Sequence, residues 1–156
     1  MCKSVLVFVC CVALASGHLC LVNPHQRGSI EGLNKPAAKN CFLRTAPCGG
    51  RPTEPPQLKI KQNDNYTVIF QQNVNHLNPL NPGHFSISWA SYADDGLTHQ
   101  QVALIPDTGL PPLHLYVQTV PTPPALNNPT KVLQVSYVTN KPGFGPYYQC
   151  ADVEVY

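Results

Sequence analysis

Six histidines, seven cysteines and eight carboxylates supply most of the reactive chemistry in this chain, and His18 stands in an unusual place among them. It follows a stretch that reads as a secretory leader. Met1-Cys2-Lys3 is a basic start, positions 4–14 are almost wholly apolar, and Ala15-Ser16-Gly17 offers the small side chains a signal peptidase reads. So short an apolar run falls well below the roughly 20 helical residues that cross a bilayer core. It therefore predicts a removed signal over 1–17 and a secreted, extracellular chain 18–156 that begins with histidine. The α-amine and Nδ1 of a terminal histidine can chelate one metal ion in a six-membered ring. In model compounds the amine titrates at about 7.7–8.0 and imidazole at about 6.5, so both yield protons to a metal at neutral pH. A second histidine opposite this pair gives three nitrogens in a T, a donor set that suits Cu(II) above other first-row divalent ions. This arrangement is a histidine brace. Zinc also accepts histidine and carboxylate, so the donor types alone do not separate the two metals.

Loss of the leader also changes the cysteine arithmetic. Cys2, Cys10 and Cys11 leave, while Cys20, Cys41, Cys48 and Cys150 remain. An even number in an oxidising compartment predicts two disulfides, with three possible pairings. The only methionine leaves as well. Without thiolate or thioether, a blue-copper electron-transfer site is disfavoured.

The elements that must position these residues read as strands. Phe85-Ser86-Ile87-Ser88-Trp89 alternates apolar and polar side chains, and further strand patterns cover 19–22, 58–61, 66–70, 101–105, 113–120, 132–139 and 148–156. No sustained helical period occurs, and the seventeen prolines interrupt most windows long enough for a helix. The expected fold is an all-β, immunoglobulin- or fibronectin-like β-sandwich of about eight short strands, with long Pro/Gly-rich loops over 23–56 and 121–129. The length suits one domain. With 12% charged residues and a net charge of +2 there is no basic stripe, which argues against nucleic-acid binding. No later segment is apolar enough for a membrane span. Asn65-Tyr66-Thr67 is a sequon, so glycosylation is expected at Asn65. No Ser-His-Asp set, phosphate loop or paired-acid motif is visible. Of the other histidines, His84 and His114 fall on polar positions of strands, His99 in a loop-like stretch, and His25 close to His18.

The terminal His18, the Pro24-x-x-Arg27-Gly28 step, the Pro47-Cys48-Gly49-Gly50 step and the closing Cys150-Ala151-Asp152 form an ordered series. Over nearly the whole mature chain it resembles the secreted copper-binding proteins related to lytic polysaccharide monooxygenases, most closely the copper acquisition factor family of fungi. The resemblance implies Cu(II) held by the N-terminal histidine, an internal histidine and an aspartate near the C-terminus. On this sequence these become His18, His76 and Asp152. His76 follows the strand-like stretch 67–72 and precedes the Asn/Pro/Gly loop at 78–83, as the family's second ligand does.

The implied function is copper acquisition, buffering or delivery by a monomer. A copper transporter or cell-surface protein is the candidate partner, and binding is favoured over catalysis. Related monooxygenases usually place tyrosine or phenylalanine at the axial position. Asp152 there argues against oxygen activation, although Tyr147 and Tyr148 lie nearby. The alternatives are therefore a copper-dependent polysaccharide monooxygenase and a non-metal β-sandwich recognition module. Alternation puts Ala151, Val153 and Val155 on one strand face and Cys150, Asp152 and Glu154 on the other. Asp152 thus reaches the site only if the site lies on that second face or a bulge re-aims the residue. With this resemblance the expected disulfides are Cys48–Cys150, beside Asp152, and Cys20–Cys41, closing the segment that carries His18. Arg27 reads as structural, able to pair with Glu31 or Asp152, and Gly28 as a turn residue.

Overall fold

The computed structural model describes residues 18–93, 96–125 and 128–156, so the expected signal lies outside the described residues. The described chain forms β1 (His18–Asn23), β2 (Lys59–Ile60), β3 (Asn65–Val74), β4 (His84–Ala93), β5 (Gly96–Pro106), β6 (His114–Pro121), β7 (Thr130–Val138) and β8 (Tyr147–Val155). Two sheets result, ordered β1-β3-β6 and β2-β8-β7-β4-β5. Every pairing is antiparallel except the short β2–β8 ladder. The β-sandwich expected from the alternation is present. One boundary differs: β5 begins at Gly96, not at 101, so His99 sits on a strand opposite Ala90 and not in a loop. This start of β5 lacks apolar alternation because β5 is an edge strand, ordered there by the β4 ladder with Leu97 packed against the Cys48, Ala90, Val132 and Cys150 cluster.

The period of two explains the interior. Phe85, Ile87 and Trp89 on β4, Val68 and Phe70 on β3, and Tyr147, Ala151, Val153 and Val155 on β8 all point between the sheets and are buried. Aromatic rings dominate the centre. Phe85 lies 5.2 Å from Phe70 and 4.4 Å from Tyr137 between ring centroids, and Phe70 stacks on Tyr116 at 4.9 Å. Trp89 donates its indole N–H to the Pro121 carbonyl at 2.8 Å, tying the two sheets together.

A second, thinner interior covers the outer face of the larger sheet. The irregular chain before β2 folds across β7 and β8, and the Gln134 side chain donates to the Pro47 carbonyl at 2.6 Å. Cys48, Ala90, Val132 and Cys150 pack together beneath it. Most of β7 is consequently buried on both faces. Both expected disulfides hold this covering, Cys20–Cys41 at β1 and Cys48–Cys150 at β8. Each closes a loop whose constraint contributes about 2–4 kcal/mol.

Candidate metal centre

His18 and His76 meet at one end of the sandwich. The β1–β3 register shifts between His18 and Leu19, so Leu19 faces Gln72 while His18 faces Val74. Opposed residues of an antiparallel ladder share a face. The shift therefore turns His18 toward the side occupied by Val74, and His76 follows two residues later with the same parity. Both histidines are at most 2% exposed. Beyond β3 the Asn75 side chain accepts the Leu77 N–H and donates to the Leu110 carbonyl, which turns the chain away from the sheet directly at His76.

Aromatic residues enclose the pair. Phe42, which follows the 3-10 turn Lys39–Cys41, lies 5.0 Å from the His18 ring. Phe144, in the loop between β7 and β8, lies 4.1 Å from the His76 ring. Tyr147 opens β8, stacks 6.1 Å from His76 and stands 5.8 Å from Phe42. Alternation already assigns Tyr147 to the apolar side of β8 with Ala151 and Val153, a signal that could have singled it out. Phe42 and Phe144 come from irregular loops and carry no such signal.

Both ring nitrogens of His76 and the hydroxyl of Tyr147 are buried without a hydrogen-bond partner. Each such group costs about 1–3 kcal/mol when left unsatisfied in the interior. Burial, with positive charge on Lys141 and His18, outweighs Asp107 and holds the His76 imidazole well below the usual histidine range, at about 4. Burial pushes the Tyr147 phenol up, against the opposing pull of Arg44. The His76 ring is therefore neutral at physiological pH and offers a nitrogen lone pair that the protein leaves unused. A neutral imidazole is the form a metal ion requires, so this residue fits a metal centre.

Asp152 does not join the histidines. It lies opposite Val132 on the outward parity of β8, the face covered by the irregular chain. There the Arg27 guanidinium donates to both carboxylate oxygens at 2.7 Å, and the Glu54 N–H adds a third bond at 3.0 Å. Burial opposes the Arg27 charge, yet the hydrogen bond and attraction of Asp152, with Tyr92 behind them, hold its pKa above the ordinary arginine range. The three-residue set expected from the resemblance is thus not assembled. Among the described residues no three His, Cys, Asp or Glu side chains lie close enough to hold one ion. The reason is the parity noted in the sequence: the histidines occupy the inner end of the sandwich, and no bulge carries Asp152 across to it. His114, on a polar position of β6, meets the Tyr116 ring edge-on at 4.9 Å and shares the parity of that residue.

No family model and no curated protein matches this chain. Solved structures do. A lytic polysaccharide monooxygenase important for efficient utilization of chitin in Cellvibrio japonicus aligns with a TM-score of 0.52 at 11% identity, covering 88% of this chain and 99% of that one. A lytic polysaccharide monooxygenase of the AA15 group from Thermobia domestica, solved in the Cu(I) state, aligns with a TM-score of 0.53 at 15% identity, covering 88% and 98%. At such low identity the likeness is one of fold, and the chain has the β-sandwich of these monooxygenases.

Proposed function

We propose that this chain is a secreted copper-binding protein that holds Cu(II) through His18 and His76 at the closed end of a monooxygenase-like sandwich. Removal of residues 1–17 would free the His18 amine to join Nδ1 in chelating the ion. The observation that carries the reading is the His76 ring, neutral, buried and unsatisfied at both nitrogens, beside a second histidine. Bound copper would supply a one-electron redox couple at this place. The protein's own part is to keep the His76 imidazole neutral, to hold the two rings at one end of the sandwich and to limit the approach of water with the Phe42 and Phe144 rings. Enclosure by those rings favours carriage of an ion over action on a polymer, which needs an open face. The reading extends to copper acquisition, buffering or delivery by a monomer, with a transporter or cell-surface protein as the recipient.

The experiment is a copper titration followed by EPR on protein whose first residue is His18, beside a version carrying one extra N-terminal residue. The brace predicts nitrogen superhyperfine structure and tight binding only in the first. Equal binding by both would remove the terminal amine from the site, and absence of copper binding would leave the recognition-module reading.

A second reading, polysaccharide oxidation, is favoured by one specific observation. Tyr147 stacks beside His76, where related monooxygenases usually carry tyrosine or phenylalanine, and the Asp152 carboxylate that argued against oxygen activation is engaged by Arg27. Incubation of the copper-loaded protein with chitin or cellulose, ascorbate and peroxide separates the two. Oxidised oligosaccharides would establish the enzyme, and none are expected.

A further inference from the structure

The two peptide groups flanking the His76 Cα are each held by a side chain from the end of β7 or the residue after it. The His76 N–H donates to the Tyr137 hydroxyl at 3.0 Å, and the His76 carbonyl accepts from the Thr139 hydroxyl at 3.2 Å. The Tyr137 hydroxyl in turn donates to Asp107, whose second oxygen accepts the Gly109 N–H at 3.0 Å. All four side chains are at most 7% exposed. A tyrosine in the middle of an aromatic core gains nothing from a hydroxyl unless that hydroxyl is satisfied, because leaving it unpaired costs about 1–3 kcal/mol. Here the hydroxyl is fully used, and the direction of its proton is decided. The His76 N–H can only donate, so the Tyr137 oxygen lone pair faces it and the hydroxyl proton points to Asp107. Meanwhile the His76 ring makes no hydrogen bond of its own that would orient it. Its placement therefore depends on packing against Phe144 and Tyr147 and on the backbone that carries it.

We propose that Tyr137, Asp107 and Thr139 are positioning residues that clamp the main chain on both sides of the His76 Cα, so that a loop residue presents its imidazole as rigidly as a strand residue would. The inference rests on His76 being a copper ligand and deepens that reading. A histidine that ligates metal usually has its free ring nitrogen held by a partner. In this chain that ring support is replaced by support of the main chain from β7, backed by a carboxylate at the end of β5. The clamp also gives the buried Asp107 a role beside the aromatic core: it orients the hydroxyl that holds the ligand's backbone.

The test compares the parent protein with Tyr137→Phe, Asp107→Asn, Thr139→Val, Thr139→Ser and His76→Ala. Cu(II) affinity is read by competition, EPR at saturating copper, and amide exchange at His76 in the copper-free protein. Loss of an outer support of this kind is expected to weaken metal binding by about 10-fold or more. Tyr137→Phe should show that loss, a broadened or shifted EPR spectrum and faster His76 amide exchange. Thr139→Val should show the same changes in smaller measure, and Thr139→Ser should restore them. Folded Tyr137→Phe and Thr139→Val proteins with parental affinity, spectrum and exchange would overturn the clamp. If Tyr137→Phe fails to fold, the Thr139→Val and Thr139→Ser pair decides by the same readouts. A His76→Ala protein that binds copper as the parent does overturns the ligand assignment itself, and with it the clamp's purpose. Failure of the clamp alone shows as a parent that needs His76 but not its supports.

Discussion

Asp152 and His76 are both buried polar side chains, but the fold treats them in opposite ways. Asp152 receives two bonds from Arg27 and one from the main chain, and His76 receives none at its ring. Removing one partner of a buried ion pair strands the other charge, at a cost of about 3–5 kcal/mol. Asp152→Asn should therefore lower stability by that amount in urea denaturation while leaving the copper EPR spectrum of the folded fraction unchanged. An altered spectrum would return the carboxylate to the metal. For His76 the folded imidazole takes its proton at about pH 4, whereas an unfolded histidine does so at about 6.5. Between those values the unfolded chain binds more protons, so stability is full above pH 6.5 and falls as pH drops through the window. The loss totals about 3 kcal/mol by linkage. Copper-free parent protein should show this in thermal scans from pH 7 to 4, and His76→Phe should flatten the dependence.

Among the elements, β1 shows how a strand, a bridge and a loop act together. The register shift aims His18, and Cys20, two residues on, is bonded to Cys41, whose neighbour Phe42 lies over the His18 ring. The disulfide thus fixes the aromatic cover as well as the strand. A Cys20→Ser/Cys41→Ser double variant should lose about 2–4 kcal/mol of stability. Because Phe42 is then untethered, copper should also transfer faster to a chelator such as EDTA in stopped-flow measurements. An unchanged transfer rate in a folded double variant would show that Phe42 does not gate the site. β8 divides its work by parity, with Tyr147 facing the histidines and Asp152 facing the covering loop. One strand therefore serves both the site and the attachment of the chain that precedes β2.

At the scale of the whole molecule the site depends on both sheets. β1 and the end of β3 bring the histidines, while β7 and β8 bring Tyr137 and Tyr147. Phe85 stands between them, against Phe70 on one side and Tyr137 on the other. Phe85→Ala should cost about 3–5 kcal/mol, the range for a buried phenylalanine. Loss of copper affinity in denaturant should then coincide with Trp89 fluorescence change, since separating the sheets separates the ligands.

The eight strands, the two disulfides and the placement of His18 and His76 near strand ends were legible because each has a local or countable signature. Alternation marks a strand within a few residues, and cysteine number follows from where the chain is expected to be cut. Asp152 shows the limit. Its alternation correctly separated it from Ala151, Val153 and Val155, yet alternation records only that a strand has two faces. Which face is dry is decided by chain that returns from elsewhere, here the Pro/Gly-rich segment before β2 that covers β7 and β8 and delivers Arg27. The aromatic cover is another case, since Phe42 and Phe144 lie in irregular loops whose destinations have no periodic signal. The order of residues by itself determined a disulfide-braced β-sandwich with two histidines near its strand ends. Only tertiary structure decided that Tyr147, and not Asp152, stands beside them, because that choice depends on a face buried by distant chain.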